Sequence, residues 1–238
     1  MTIFQQDRCL YCHNVIAPNI GWIALFSKEK EQLLCPTCEE KLEEIKGETC
    51  RICSRPFHHL NEQFRDGDLC HDCTRWEEDP DWQGFLERNH SLYLYNDFLK
   101  ELIATYKFRG DYVLAKIFAE LLKKEIPKIK PDLLVPIPLS EERLYERGFN
   151  QATAIITLAG FPSAGLLTRI HSEKQSKKSR AERIHIPQVF NVDSDCELEG
   201  KRVLLVDDIY TTGSTLRHAA KLLKMVGAAS IQSFTIAR

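Results

Sequence analysis

The chain has little that would place it in or across a membrane. No apolar run in its 238 residues reaches the ~18 that a spanning helix requires. Residues 1–8 are polar and lack the apolar stretch of a secretory signal, so a cytoplasmic protein is expected. A dominant charge is missing too. The formal net charge is -2 at pH 7, and nothing in that global balance announces a nucleic acid partner. What is present is a hydrophobic fraction of 43%, enough for a packed core in one large or two small domains.

The charge is unevenly spread. Residues 1–80 hold 9 Lys/Arg and 15 Asp/Glu, whereas residues 81–238 hold 23 and 19. The stretch 169–183 carries Arg169, Lys174, Lys177, Lys178, Arg180 and Arg183 against Glu173 and Glu182, which accounts for all the positive excess of the second part. It contains no aromatic residue. Stacking partners for a single nucleic acid strand would therefore come from Tyr145 and Phe149.

Cysteine is abundant. Of nine, eight form CxxC pairs: Cys9/Cys12, Cys35/Cys38, Cys50/Cys53 and Cys70/Cys73. In a reducing compartment this pattern reads as metal ligation and not as disulfides. Each CxxC turn sets two thiolates on one side of a tight loop. Two such turns complete a tetrahedral zinc shell with no open position, which gives the metal a structural role. Sequential pairing makes two ribbons in series, Cys9, Cys12, Cys35, Cys38 and then Cys50, Cys53, Cys70, Cys73. Interleaving the first turn with the third is the alternative, and spacing leaves both open, with one or two zinc ions bound. The histidines nearby, His13, His58, His59 and His71, read as surface residues. Zinc supplies much of the folding energy of so core-poor a segment. Its acidity suits a protein partner better than a phosphate backbone.

The charged stretch 79–85, with Pro80 and Gly84, reads as a linker. The expected division is therefore a double ribbon over 1–78, a linker over 79–85 and a second domain over 86–238. In the second domain strand-like and helical patterns alternate: strand 91–95, helices 97–107 and 112–125, strand 133–135, helix 152–159, a short strand within 165–170, strand 203–207, helix 215–226 and strand 230–237. This order predicts an α/β fold, a mainly parallel sheet with helices on both faces, whose ligands bind beyond the carboxyl ends of the strands. Trp22, Trp76 and Trp82 are expected to pack the ribbons and the seam. His171, His185 and His218 lack a constellation and read as surface or satisfied polar residues. Cys196 is a lone thiol.

The chemistry concentrates in one stretch, Val203-Leu204-Leu205-Val206-Asp207-Asp208-Ile209-Tyr210-Thr211-Thr212-Gly213-Ser214-Thr215. A buried strand meets two adjacent carboxylates, then a hydroxyl-rich turn around one glycine, then a helix start. Free N–H groups and the dipole of a helix N-terminus attract phosphate. Thr211, Thr212, Ser214 and Thr215 add donors, and Asp207 and Asp208 suit ribose hydroxyls or hydrated magnesium. A second anion site follows residue 138. Arg143 and Arg147 lie four apart on a helical turn and can fork onto one polyanion, and Gly148 permits close backbone approach.

The loop resembles the 5-phosphoribosyl-1-pyrophosphate (PRPP) loop of type I phosphoribosyltransferases. That resemblance implies that the turn 211–215 holds the 5′-phosphate and that Asp207 and Asp208 face the ribose 2′ and 3′ hydroxyls. Purine-salvage members carry an aspartate where this chain has Thr211, which argues against a 6-oxopurine acceptor. Val135-Pro136-Ile137-Pro138, Arg143, Arg147-Gly148-Phe149-Asn150-Gln151 and Glu173-Lys174-Gln175-Ser176 narrow the resemblance. Together with the Cys-rich start, the chain is similar to the ComF family along essentially its whole length. The family implies a role in natural transformation, the uptake of single-stranded DNA across the membrane, with a ComFA-like helicase or ATPase as partner and recruitment to the membrane uptake machinery. It also implies PRPP with Mg as a ligand, its pyrophosphate facing Arg143 and Arg147. Lys174, Lys177, Lys178 and Arg180 would then serve either as a lid over pyrophosphate or as a grip on DNA phosphates. Three functions stay open: a phosphoribosyltransferase with an unidentified acceptor, a non-catalytic PRPP sensor, and a DNA-binding adaptor. No residue stands out as a general base.

Overall fold

The computed structural model describes residues 7–17, 31–108, 111–170, 189–192 and 197–238. Trp22, His171, Lys174, Lys177, Lys178, Arg180, Arg183, His185 and Cys196 fall outside them. In chain order the elements are α1 (Pro36–Glu39), β1 (Arg65–Asp66), β2 (Leu69–Cys70), α2 (His71–Glu78), β3 (Arg88–Tyr93), α3 (Asp97–Phe108), α4 (Ala115–Ile129), β4 (Leu133–Pro136), α5 (Glu141–Arg147), α6 (Gln151–Leu158), β5 (Leu167–Arg169), β6 (Phe190–Val192), β7 (Arg202–Ile209), α7 (Ser214–Met225) and β8 (Ser230–Ala237).

Strands β3, β8, β7 and β4 form, in that order, a four-stranded sheet whose pairs are all parallel. Successive side chains of β7 point to opposite faces. Leu204 and Val206 join the layer of α3, α4 and α6, whereas Val203 and Leu205 join that of α7. Both sets are fully apolar, which is why the strand reads as an uninterrupted hydrophobic run and sits inside the sheet. The expected α/β architecture is thus present. β3 begins at Arg88, three residues before the sequence pattern suggests. The helix expected from residue 112 opens with a 3-10 turn, Tyr112–Leu114, and α4 runs past Pro127 to Ile129. Proline there forfeits one N–H in the last turn, next to the left-handed cap at Lys130. The strand within 165–170 pairs antiparallel with β6, which the sequence reading did not include.

The cysteines pair sequentially. The Sγ atoms of Cys9, Cys12, Cys35 and Cys38 lie within 4.8 Å of one another, and so do those of Cys50, Cys53, Cys70 and Cys73. The two clusters flank the sheet from opposite sides. Cys9, Ile16, Leu34, Cys35 and Cys38 pack into the layer of α3 and α4, where Tyr11 meets Phe98 edge-on at 5.2 Å. Cys50, Ile52, Cys53, Cys70 and Cys73 pack into the layer of α7. Between them the chain covers the outer edge of β3: Ile45 N donates to Leu92 O and Leu94 N to Glu43 O, both at 2.8 Å. An uncovered edge strand is a template for aggregation, and here the segment joining the two ribbons closes it. In the stretch 79–85 Trp82 is buried, edge-on to Trp76 and against His218. His218 is itself buried, contrary to a surface reading, and burial pushes it down to about 4.

The second ribbon lands on a polar part of the sheet. Asn89 and Ser91 of β3 stand opposite Ser233 and Thr235 of β8. The Asn89 amide donates to Ser91 Oγ at 2.7 Å and Thr235 Oγ1 at 3.1 Å, and Ser233 Oγ donates to Asn89 Oδ1 at 2.8 Å. Ser54 Oγ caps the knot from the ribbon by donating to Asn89 O at 2.6 Å. A buried network of this kind is stable only while every member is paired. Asn89→Ala should therefore cost about 2–3 kcal/mol of stability, because it strands buried hydroxyls. Ser54→Ala should cost about 1 kcal/mol. Urea unfolding of both variants at fixed zinc content checks this, with an unchanged slope expected.

Candidate functional site

The loop after β7 is shaped from behind. Arg238 Nη1 donates to Thr211 O at 2.8 Å and to Tyr210 O at 3.3 Å, and Trp76 Nε1 donates to Thr212 O at 3.3 Å. In a trans peptide the carbonyl and the following N–H point in opposite directions. Turning the carbonyls of Thr211 and Thr212 backward therefore turns the N–H groups of Thr212 and Gly213 forward, beside the N-terminus of α7. Gly213 sits at the cap of α7 with φ 78, and a Cβ there would collide with the Tyr210 hydroxyl. Only glycine fits, for both reasons. Ser214 and Thr215 follow in the first turn of a twelve-residue helix, and Ser214 N reaches Thr212 Oγ1 at 3.4 Å. Forward N–H groups, hydroxyls and a helix dipole make an anion cradle.

Beside the cradle, Asp207 and Asp208 lie near the carboxyl end of β7, just before Ile209. Asp208 N donates to Asp207 Oδ1 at 2.9 Å. Burial pushes Asp207 up to about 7, with the Asp208 charge adding to it, while Lys107 and Arg169 pull the other way. Lys107, from the last turn of α3, meets Asp208 at 2.6 Å, and both side chains are largely buried. Arg147 donates to Gln151 Oε1 at 2.9 Å and stacks over Phe108 at 5.4 Å. Burial lowers the pKa of Arg147 and of Arg169, and both feel Arg143 as a like charge and Asp207 as an opposite one. Three cations, Lys107, Arg147 and Arg169, thus act on the two carboxylates from α3, α5 and β5, and Arg143 acts on the two arginines as a like charge.

The structure brings together Asp207, Asp208, Thr211, Thr212, Gly213, Ser214, Thr215, Arg143 and Arg147, the first seven through β7 and α7 and the arginines through α5. The basic residues Lys174, Lys177, Lys178 and Arg180 lie outside the described part, which leaves Arg169 as the member of that stretch seen at the site. Sequence reasoning missed Lys107, Trp76 and Arg238. Lys107 lies in an ordinary amphipathic helix, and the other two act from far along the chain, so no local pattern marks them.

The two cysteine clusters fit tetrahedral zinc. Bonds of about 2.3 Å to four sulfurs put the sulfurs roughly 3.8 Å apart, and Cys12–Cys35 and Cys53–Cys70 are each 3.6 Å apart. Each cluster supplies its four ligands from cysteine alone, so no histidine is needed.

Comparison with known proteins agrees with this layout. Residues 113–238 match the phosphoribosyl transferase domain and residues 2–74 the double zinc ribbon domain. Competence protein ComFC of Bacillus subtilis (strain 168) is 39% identical over 97% of this chain and 94% of its own length. The competence protein ComFC of Streptococcus pneumoniae is 32% identical, over 97% of this chain and 100% of its own. DNA utilization protein YhgH of Escherichia coli (strain K12) is 25% identical over 86% of this chain and 96% of its own.

Asp207 gives a pH test that needs no ligand. Its folded pKa stands above the unfolded value, so ionising it costs the folded state stability. That cost is absent at pH below the unfolded pKa of 3.8, grows as pH rises to about 7, and is constant beyond. Asp207→Asn should therefore raise the urea midpoint, with a gain that increases up to pH 7 and then levels off. Lys107→Met should push the Asp207 midpoint higher, because it removes a charge that favours the carboxylate. Carboxyl-carbon NMR titration of Asp207 reads that shift.

Proposed function

From the premise that the chain belongs to the ComFC family of competence proteins, a phosphoribosyl transferase domain with a double zinc ribbon, we propose that it is a DNA-uptake factor for natural transformation. In this reading it binds PRPP or a related sugar phosphate. The observation that carries the reading is the cradle of forward-turned N–H groups and hydroxyls at residues 211–215, set directly beside Asp207 and Asp208. The 5′-phosphate would lie against Thr211, Thr212, Gly213, Ser214 and Thr215, and the ribose hydroxyls against the two carboxylates. Arg143 and Arg147, joined by Lys107 once it leaves Asp208, would face the pyrophosphate. Asp207 and Asp208 would hold Mg, whose contribution when bound is to neutralise pyrophosphate charge. Glycosyl transfer asks mainly for positioning and charge stabilisation from such residues, and the acceptor-side signature of purine salvage is missing at Thr211. A ComFA-like helicase or ATPase is the proposed protein partner, at the membrane uptake machinery.

Calorimetry with PRPP and magnesium tests the site. Micromolar binding is expected from the zinc-loaded wild type. The Asp207→Asn, Asp208→Asn double variant should lose at least a hundredfold, as the loss of two charge-assisted contacts implies (about 1.5–3 kcal/mol each). Equal affinity in the two proteins overturns the assignment. Transformation frequency in a strain carrying the double variant tells whether the site serves DNA uptake.

A second reading, single-stranded DNA at the same mouth, has its own support. Tyr145 is 93% and Phe108 69% exposed, and both belong to the helices that carry Arg143, Arg147 and Lys107. Solvent-facing rings among cations suit stacked bases with their phosphates alongside. Phe149, by contrast, is taken up by Tyr106 and Tyr112 at 5.6 and 5.1 Å. Tyr145→Ala should weaken binding of an oligothymidylate about tenfold. Arg143→Gln should reduce the steepness of its salt dependence, both measured by fluorescence anisotropy.

A further inference from the structure

The second cysteine cluster lies directly behind the phosphate cradle, and α2 joins the two. This helix starts at a metal ligand, Cys70, and contains another, Cys73. Trp76 and Glu77 follow Cys73 by three and four positions, so all three share one face of the helix. The three contacts of that face go to three different places. Cys73 closes the metal cluster. Trp76 fixes the Thr212 carbonyl at 3.3 Å. Glu77 pairs at 2.7 Å with Arg217, one helical turn into α7.

Arg217 is completely buried, and its Nε and Nη2 have no hydrogen-bond partner among the described residues. Arg238 Nε is buried without one as well, and so is the Tyr210 hydroxyl. Buried guanidinium groups need a negative charge to compensate their desolvation. Glu77 supplies one for Arg217. Arg217 also stacks over the Trp76 ring at 5.2 Å, and Arg238 over the Tyr210 ring at 4.9 Å. Tyr210 is buried in the same cluster as Cys50, Cys53, Cys70 and Cys73, which sets Arg238 beside the metal site. Four thiolates around one divalent zinc keep a net charge of about -2, enough to balance both.

We propose that the zinc centre at Cys50, Cys53, Cys70 and Cys73 positions the phosphate cradle, with Arg238, Arg217 and Trp76 as the positioning residues that transmit its occupancy to residues 210–213. The metal centre anchors Arg238, and Arg238 turns the carbonyls of Tyr210 and Thr211 backward. The same centre nucleates α2, and α2 aims Trp76 at Thr212. Loss of the metal, by thiol oxidation or chelation, releases both restraints together, and the peptide planes of the cradle become free to turn. The first cluster, Cys9, Cys12, Cys35 and Cys38, packs into the layer of α3 and α4 and, among the described residues, makes no such contact with the loop. The two zinc centres are therefore unequal: both brace the fold, and only the second governs anion binding. This inference rests on the sugar-phosphate reading for its ligand, and not for its loop mechanics.

The test uses the full chain with both centres loaded. A thiol-blocking reagent is titrated in while a chromogenic chelator reports zinc release and hydrogen exchange with mass spectrometry follows residues 208–216. Cys12→Ser and Cys70→Ser identify which release step belongs to which centre. Loop amides are expected to lose about tenfold in protection together with zinc from the second centre, and none with zinc from the first. By reciprocity, saturating PRPP with magnesium should tighten zinc binding at the second centre about tenfold, read by equilibrium competition with the chelator, and leave the first unchanged. Arg238→Gln keeps all eight ligands and so remains informative if the cysteine variants do not fold. It should retain zinc at both centres, deprotect the loop and weaken PRPP about tenfold. Loop protection that survives loss of zinc from the second centre, or a loop in Arg238→Gln exchanging as in wild type, overturns the proposal. If the wild type binds no PRPP yet its loop still loosens with the second zinc, the positioning role stands and the sugar-phosphate reading falls.

Discussion

A peptide plane cannot turn its carbonyl without turning the next N–H the other way, and the site of this protein depends on that coupling at Thr211 and Thr212. The threonine and serine hydroxyls are adaptable, because they rotate. The backbone N–H groups are not, and an anion cradle is only as good as their convergence. Two donors on the far side of the loop, Arg238 and Trp76, hold the carbonyls away. Gly213 then completes the turn in a conformation that side chains rarely adopt, with the Tyr210 hydroxyl where a Cβ would be. The cradle's front face is thus decided by contacts on its back, made by Arg238, which follows β8, and by Trp76 of α2.

The same economy of space produces tension at the front. Two adjacent carboxylates follow the four buried residues Val203, Leu204, Leu205 and Val206 of β7. Unliganded, they repel one another and are poorly solvated, which raises Asp207 towards neutrality. Lys107 relieves part of this by pairing with Asp208. A buried ion pair of this kind protects the fold from two uncompensated charges. Under the proposed sugar-phosphate reading it would be exchanged for ligand contacts, at a cost in affinity. Functional sites commonly hold groups in this poised, destabilised state.

How much of this was legible in the chain follows from the range of each interaction. Strand β7, its carboxylates, the hydroxyl-rich turn and α7 are consecutive, so period, cap and turn chemistry all speak to the same short stretch, and its reading as strand, turn and helix agrees with the structure. The CxxC turns are also local signals, though their pairing is not. Spacing left two arrangements open, and only the separation of the two clusters onto opposite faces of the sheet decides for the sequential one. β6 was not read because three residues are too few to display a period, and β5, equally short, was placed only loosely within 165–170. Lys107, Trp76, Arg217 and Arg238 were missed because each works across a long sequence separation: Trp76 to Thr212 spans 136 positions and Glu77 to Arg217 spans 140. His218 read as a surface or satisfied polar residue for the same reason, since Trp82, which covers it, belongs to a stretch that by composition resembles a loose joint.

Those long contacts also explain why a phosphoribosyl transferase domain here keeps a metal-dependent neighbour. Strand β3 lies at the edge of the sheet, and its inner positions Asn89 and Ser91, with Ser233 and Thr235 opposite, offer hydroxyls and an amide where a stable layer would want methyl groups. A four-stranded sheet with that polar patch gains less from burial than an apolar one. The ribbons supply what is lacking. One covers the patch and caps its carbonyl through Ser54, the other packs on α3, and the segment between them pairs with the edge of β3. Zinc is the reason that so short and acidic a segment can hold a fixed shape for the task. Because the polar patch, the edge and the back of the anion cradle all belong to one side of the sheet, the covering element could not be exchanged for a plain helix without losing the donors to Thr212 and the negative charge beside Arg217 and Arg238. Fold support and site geometry are in this way the same set of contacts.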